Sequence, residues 1–145
     1  MNRIAQTAFP SRYIQGPGAI NMLPSLVSKF DGASGLLIVD PFVHQNILPT
    51  LDLHGRGKNG HSITLVTQVF EGECTETEID RLVESGESSG VGCVIGLGGG
   101  KTLDTAKAVS AKLGVPIVIC PTIASTDAPT SARAVIYTPQ GEVAR

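Results

Sequence analysis

An apolar segment leads directly into three glycines, a lysine and a threonine in Val94-Ile95-Gly96-Leu97-Gly98-Gly99-Gly100-Lys101-Thr102. A strand followed by bare glycines and then a helix leaves backbone N–H groups without partners. Those N–H groups, the positive end of the helix dipole and a nearby ammonium all favour a phosphate group. The alternative is a tight turn that needs glycine only for its backbone dihedral angles. We predict a phosphate-binding loop, because a plain turn does not require a cation after its glycines.

Short aliphatic runs recur along the chain, with helix-like segments between them. Continuous apolar runs are typical of strands that are covered on both faces in a parallel sheet. The predicted strands are residues 36–39, 63–66, 93–95 and 116–120, and the predicted helices are 19–30, 41–53, 75–86 and 103–113. Thr75 and Glu78 have the spacing of a capping box at the start of the third helix. The alternation predicts an α/β fold, a Rossmann-like parallel sheet with helices on both faces.

The end of the chain has the pattern of a β-hairpin. Residues 134–138 are predicted to form a strand, 139–141 a turn and 142–145 a return strand. A hairpin arm that stops after four residues indicates a fragment of a longer protein, and the alternative is a short native edge strand. We therefore expect residues 1–145 to be one domain of a larger protein.

Composition excludes several classes of function. The 145-residue chain has 41% hydrophobic and 17% charged residues and a net charge of −2, so a folded core is expected without a basic nucleic-acid surface. No run approaches the length of a membrane span, and residues 1–6 do not form a secretory signal. The three cysteines lack metal-ligand spacing, which favours a reduced, cytoplasmic setting.

The glycine run departs from both well-known phosphate motifs. The P-loop pattern requires glycine where Ile95 stands, and the dinucleotide fingerprint requires glycine where Lys101 stands. An acid that could accept hydrogen bonds from a ribose is found at Asp40, after the first strand. The alternative for Asp40 is a turn residue ahead of Pro41.

A second polar loop, residues 121–131, follows the fourth predicted strand and carries several hydroxyl groups around Asp127. Ligands bind at the carboxyl ends of strands in open α/β sheets. Because this loop and the glycine run follow consecutive strands, both should open on the same sheet edge. The alternative is a solvated Ser/Thr loop.

The chain resembles the glycerol dehydrogenases of the iron-containing alcohol dehydrogenase and dehydroquinate synthase-like superfamily. The resemblance lies in residues 13–16, 72–74, 78–82, 98–107 and 121–129. It covers nearly the whole chain but only the N-terminal, nucleotide-binding domain of the family, whose C-terminal helical domain is absent here. The resemblance thus implies one half of a two-domain enzyme.

The resemblance also implies roles for individual residues. Asp40 would hold the adenosine side of NAD and would repel the 2′-phosphate of NADP, and Asp127 would bind a substrate hydroxyl through a buried carboxylate. Arg133 departs from the family, which usually has an apolar residue there. The implied cofactor-binding residues are Asp40, Gly98, Gly99, Gly100, Lys101, Thr102, Asp104, Thr122, Ser125, Ser131, Arg133 and Tyr137.

The implied reaction is NAD-dependent oxidation of glycerol, or a similar polyol, to dihydroxyacetone by hydride transfer. The family uses a divalent metal, usually zinc, held by an Asp and two His of the C-terminal domain. No catalytic residue and no metal ligand is therefore expected in this chain, and by itself it should be inactive. The three histidines are expected at the surface or in loops. Family members are homo-oligomers, and no nucleic-acid or membrane partner is implied.

Two other functions stay open at this point. The chain could be a stand-alone nucleotide-binding module without catalysis. It could also belong to a related enzyme of the superfamily, a glycerol-1-phosphate dehydrogenase or a dehydroquinate synthase-like lyase. A phosphate-bearing substrate would require further basic residues near Asp127, and Arg133 is the only candidate.

Overall fold

A four-stranded parallel sheet forms the centre of the molecule, as the sequence predicts. The computed structural model describes residues 11–53 and 62–144. Its strands are β1 (Ser34–Val39), β2 (Thr64–Val69), β3 (Cys93–Gly98) and β4 (Ile117–Pro121). The sheet has the order β2-β1-β3-β4, with every neighbouring pair parallel. Strand β3 therefore continues through Gly96 and Leu97, where the sequence alone predicts the strand to have ended.

Two short and two long helices flank the sheet, the first of them before β1 and the other three in the connections between strands. They are α1 (Leu23–Val27), α2 (Pro41–Asn46), α3 (Glu76–Ser89) and α4 (Gly100–Leu113). The first two predicted helices are too long. A 3-10 turn, Ala19–Met22, precedes α1, and another, Leu48–Thr50, follows α2. Pro49 has no N–H group to donate to the carbonyl of Gln45, so the α-helical hydrogen bonds of α2 cannot continue through it. No helix among the described residues has the length and apolarity to span a bilayer.

Helices cover both faces of the sheet, and β1 shows how. Its buried residues Leu36 and Ile38 belong to one apolar cluster with α3 and α4, which contribute Ile79 and Val109 among others. The intervening Leu37 and Val39 belong to a second cluster with α1 and α2. Successive side chains of a strand point to opposite faces. The continuous apolar run is therefore the mark of a strand that is buried twice, and the predicted three-layer fold is confirmed.

Helix α4 packs unusually close to β3, because two positions of the strand have no side chain. A Cβ atom on Gly96 would lie 2.8 Å from Ala106 Cβ and 3.3 Å from Leu103 Cδ2. A Cβ atom on Gly98 would lie 3.0 Å from Thr102 Cβ on α4 and 2.9 Å from Asp40 Cβ beyond the end of β1. Such distances are too short for carbon atoms in contact, so any larger residue would push the helix away. Glycine is required here for space.

Helix α3 begins as predicted at Thr75, but the capping box is only half formed. Thr75 Oγ1 accepts a hydrogen bond from Glu78 N at 3.2 Å. The Glu78 carboxylate does not return to the Thr75 amide. It accepts instead from Glu71 N at 3.0 Å and from Arg81 at 2.7 Å. Glu78 is buried, and a buried carboxylate is stabilised by a paired cation more than by one amide.

The chain end folds back as a hairpin of isolated bridges rather than as the continuous strand predicted over residues 134–138. Tyr137 pairs antiparallel with Val143, and Thr138 N donates to Glu142 O at 2.7 Å across the turn. Tyr137 N also donates to Cys74 O at 2.8 Å. The arm is thus shared between two neighbours, and neither pairing extends into a ladder.

The close packing of α4 on β3 predicts a size limit at Gly96. Gly96→Ala should lower the free energy of unfolding by about 1–3 kcal/mol, because the new methyl group overlaps Ala106 Cβ. Ala106→Gly alone should cost about 1 kcal/mol through helix propensity.

In urea titrations, the double variant should be less destabilised than the sum of the two single variants. Strict additivity of the two effects would contradict the proposed contact.

Candidate functional site

The strand order places a topological switch point between β1 and β3. The chain leaves β1 toward β2 on one side and later returns to β3 on the other. Ligands of open α/β sheets bind in the crevice at the carboxyl ends of such strands. Asp40 follows β1, and Gly98, Gly99 and Gly100, here called the glycine loop, end β3 and begin α4. The fold therefore brings the predicted acid and the predicted phosphate loop to one place.

Two clefts open at this sheet edge. The first cleft, of about 470 Å³, is lined by Asp40, Pro41, Phe42, Phe70, Gly72, Gly99, Gly100, Lys101 and Thr102. The second cleft, of about 340 Å³, is lined by Gly100, Lys101, Asp104, Thr126, Asp127, Ala128, Ser131, Arg133, Val135 and Tyr137. Gly100 and Lys101 belong to both. The prediction that the loop of residues 121–131 and the glycine loop share one edge is confirmed.

The glycine loop is shaped by space and not by backbone dihedral angles. None of its three residues has a positive φ, and Gly99 has φ −88° and ψ −174°. The alternative of a turn that needs glycine only for its dihedrals is therefore wrong. A Cβ atom on Gly99 would lie 3.3 Å from Ile123 Cδ1, and one on Gly100 would lie 3.1 Å from Thr126 Cγ2. The loop after β4 thus lies directly against the glycine loop.

The amino terminus of α4 has unpaired backbone amides. No side chain caps the helix at Gly99. Within residues 11–53 and 62–144, the N–H groups of Gly100, Lys101 and Thr102 have no hydrogen-bond acceptor. Together with the helix dipole, such amides attract an anion. This is the arrangement that the sequence predicts for a diphosphate.

The Lys101 ammonium, in contrast, already has a partner. Its Nζ lies 2.7 Å from Glu73 Oε2 and 5.7 Å from the centre of the Tyr137 ring. The hydrogen bond from Lys101 lowers the pKa of Glu73, and the same bond raises the pKa of Lys101. Sequence reasoning missed Glu73, because 28 positions separate it from Lys101. The one sequence feature that marks Glu73 is its position in residues 72–74, a segment that carries the family resemblance.

Asp40 has a structural role as well as its predicted one. Its Oδ1 accepts hydrogen bonds from Phe42 N at 2.9 Å and from Val43 N at 3.3 Å, and so it caps α2. The interpretation as a turn residue thus applies to one carboxylate oxygen. Oδ2 has no partner among the described residues, and Asp40 is one of the residues that line the first cleft. The predicted ribose contact remains a prediction for that oxygen.

Asp104 supports a wall of the second cleft. Its Oδ1 pairs with Lys107 Nζ at 3.0 Å, and its Oδ2 accepts from Val135 N at 3.1 Å. Lys107 also donates to Arg133 O at 2.8 Å. Both oxygens of Asp104 are therefore engaged in fixing the segment around residues 133–135. Thr102 is buried behind the glycine loop.

The loop after β4 presents its polar groups to solvent. Asp127, Thr122, Ser125 and Arg133 are all exposed. Asp127 is exposed among the described residues, and the burial of its carboxylate that the resemblance implies stays a prediction. Asp127 and Arg133 line the second cleft, as do Ser131 and Tyr137, whereas Thr122 and Ser125 line neither cleft.

The described residues contain no group of three or more His, Cys, Asp or Glu side chains that could hold a metal ion. His44 lies on α2, and His54 and His61 lie outside the described residues. Burial raises the pKa of the Cys93 thiol to about 11, as for a cysteine that serves as a small apolar side chain. Metal ligands outside this chain stay a prediction.

The chain is similar in sequence to known proteins of one family. Residues 10–144 match the family described as iron-containing alcohol dehydrogenase. The chain is 49% identical to a glycerol dehydrogenase of Thermotoga maritima, over 98% of this chain and 37% of that protein. It is 44% identical to a glycerol dehydrogenase of Escherichia coli, over 100% of this chain and 38% of that protein.

A solved structure shows the same fold. The crystal structure of glycerol dehydrogenase from Schizosaccharomyces pombe superposes with a TM-score of 0.81 at 33% identity, over 98% of this chain and 35% of that one. The resemblance inferred from the sequence is confirmed. The chain spans a little over a third of the length of the relatives it matches.

The ion pair between Glu73 and Lys101 makes a prediction for titration. In Lys101→Met, the pKa of the Glu73 carboxyl should rise toward its ordinary value of 4.5, because its largest stabilising contact is lost. Side-chain NMR titration of the carboxyl carbon measures this value directly.

Lys112→Met is the matched control, since Lys112 lies on the same helix but pairs with Glu76 and Asp80. A Glu73 pKa that stays depressed in Lys101→Met would show that the pair does not form in solution.

Proposed function

This chain belongs to the iron-containing alcohol dehydrogenase family, and we propose on that basis that it is the NAD-binding domain of a glycerol dehydrogenase. One observation carries the proposal. The unpaired amides at the start of α4 lie where the two clefts meet. Among the described residues, Gly100 and Lys101 line both clefts. A dinucleotide has the matching form, with two nucleosides joined through a diphosphate.

The adenosine half of NAD fits the first cleft in this proposal. Asp40 Oδ2 would accept hydrogen bonds from the ribose hydroxyls while Oδ1 continues to cap α2. The apolar residues Phe42 and Phe70 line the same cleft and suit the flat face of adenine. A carboxylate at this position also repels the 2′-phosphate of NADP, which favours NAD.

The nicotinamide half would then enter the second cleft. Ser131, Arg133 and Tyr137 line that cleft and would flank the ring, with Asp104 and Lys107 fixing the wall from behind. Thr122 and Ser125, exposed at the loop after β4, would contact the cofactor only at its outer edge. The positive charge of Arg133 would face a cationic ring, so its guanidinium should turn toward solvent when NAD is bound.

The substrate in this proposal is glycerol or a similar small polyol. Asp127 in the second cleft would accept hydrogen bonds from two hydroxyls. Transfer of a hydride from the secondary carbon to the nicotinamide, with loss of the hydroxyl proton, would give dihydroxyacetone. The cofactor supplies the hydride acceptor, and this chain supplies binding and orientation.

A divalent metal, usually zinc, belongs to the reaction that the resemblance implies, where it lowers the pKa of the reacting alcohol. The described residues do not form a site for it, so no step through a metal is assigned to this chain. We further propose that residues 1–145 act as the N-terminal domain of a two-domain cytoplasmic enzyme that assembles as a homo-oligomer. A domain without the metal site should not turn over glycerol by itself.

The proposal predicts specific losses in calorimetric titration with NAD. Asp40→Asn should weaken binding roughly 10- to 100-fold, because a hydrogen bond to a charged group contributes about 1.5–3 kcal/mol. Asparagine is a good helix cap, so α2 should remain folded. Discrimination against NADP should fall in the same variant, because the repelling charge is gone.

Lys101→Ala tests the second anchor, with Lys112→Ala as the control on the same helix. Lys112 lines neither cleft, and its removal should leave NAD binding unchanged. Equal affinity in the wild type, Asp40→Asn and Lys101→Ala would overturn the assignment of both anchors. Absence of NAD binding by the folded wild-type protein would overturn the proposed function.

A further inference from the structure

We propose that Glu73 is a built-in competitor of the cofactor's diphosphate: its carboxylate holds the Lys101 ammonium until a dinucleotide displaces it. This inference rests on the proposed function, because it concerns the same anion site. It assigns Glu73 a role in setting the affinity for the cofactor and the speed of its release. Glu73 is thereby an affinity-determining residue and not a catalytic one.

The contact has the geometry of a specific ion pair. Lys101 Nζ and Glu73 Oε2 are 2.7 Å apart, the distance of a charge-assisted hydrogen bond. The other oxygen, Oε1, accepts from Cys74 N at 3.2 Å, so the carboxylate is oriented by its own backbone. On the other side, the ammonium lies over the Tyr137 ring. Lys101 is thus drawn toward Glu73 and Tyr137, although it lines both clefts.

The backbone that carries Glu73 is itself fixed. It lies in the short connection between β2 and α3, and two contacts hold the start of this connection. Glu71 N donates to Glu78 Oε1 at 3.0 Å, and Arg81 Nη2 donates to Val69 O at 3.0 Å. Arg81 also binds the Glu78 carboxylate through Nε and Nη2. Glu73 is therefore carried by a connection that is anchored at its start.

Anions differ in the contacts that they gain when they displace Glu73 from Lys101. A small anion that meets only the ammonium replaces one partner of Lys101 by another, and it also approaches the Glu73 charge. A dinucleotide gains in addition the free amides of Gly100 and Thr102 and the carboxylate of Asp40. Exposed ion pairs contribute little to stability, so only a small free energy is needed to break the pair between Glu73 and Lys101. A ligand that makes the further contacts can supply it. The same cost leaves an anion that lacks these contacts weakly bound.

Calorimetric titration with ADP tests the inference, because ADP carries the adenosine and the diphosphate alone. Glu73→Gln should bind ADP about two- to fivefold more tightly than the wild type, the range expected for removal of one exposed ion pair. Glu71→Gln is the matched control. It removes the same charge from the same connection, and its side chain lies 3.9 Å from Arg81 Nε without bonding to Lys101.

A second background separates pairing from general charge. In Lys101→Met, Glu73→Gln should no longer strengthen ADP binding beyond the effect of Glu71→Gln. Circular dichroism should show that each variant is folded.

The possible outcomes separate the inference about Glu73 from the proposed NAD-binding function. Tighter ADP binding by Glu73→Gln alone, lost without Lys101, supports the inference. Equal or weaker binding by Glu73→Gln, or the same gain in the Lys101→Met background, overturns it while the proposed function stands. Failure of the folded wild-type protein to bind either ADP or NAD overturns the proposed function, and the inference with it.

Discussion

The close approach of α4 to β3 is the constraint on which the site depends. Gly96 lets the helix lie against the strand, and Gly98 leaves room for Asp40 and Thr102 at the strand end. Because the helix cannot withdraw without losing the apolar contacts of Leu103 and Val109, its amino terminus is held at the sheet edge. The position of the unpaired amides is therefore set by core packing. The proposed phosphate site thus uses amides that the packing of α4 on β3 already holds in place.

The electrostatics of the site follow from this placement. The amides at the start of α4 provide a fixed partial positive charge, whereas the one lysine beside them is neutralised by Glu73. Binding strength in our account comes from preorganised backbone dipoles, and the ion pair adjusts it. In the proposed function, this division is how a loop that departs from both known phosphate motifs would bind an anion.

Much of the fold could be predicted from the sequence, because local patterns determine it. Continuous aliphatic runs identify strands that are buried on both faces, and Thr75 identifies the start of α3. The contacts that complete the site are long-range and have no local pattern. Glu73 meets Lys101 across 28 positions, and Asp104 meets Val135 across 31. Glu78 has the spacing of a capping residue, but its carboxylate pairs with Arg81 because a buried charge requires a counterion. The glycines, interpreted as a phosphate loop, serve close packing as well.

A crystal structure of the protein with NAD tests the central claim most directly. We expect diphosphate oxygens about 2.7–3.2 Å from the amide nitrogens of Gly100 and Lys101, with adenosine beside Asp40. We also expect the Lys101 ammonium to have left Glu73 or to bridge it to the diphosphate. Phosphorus atoms bound far from the glycine loop, with those amides still unpaired, would contradict the account.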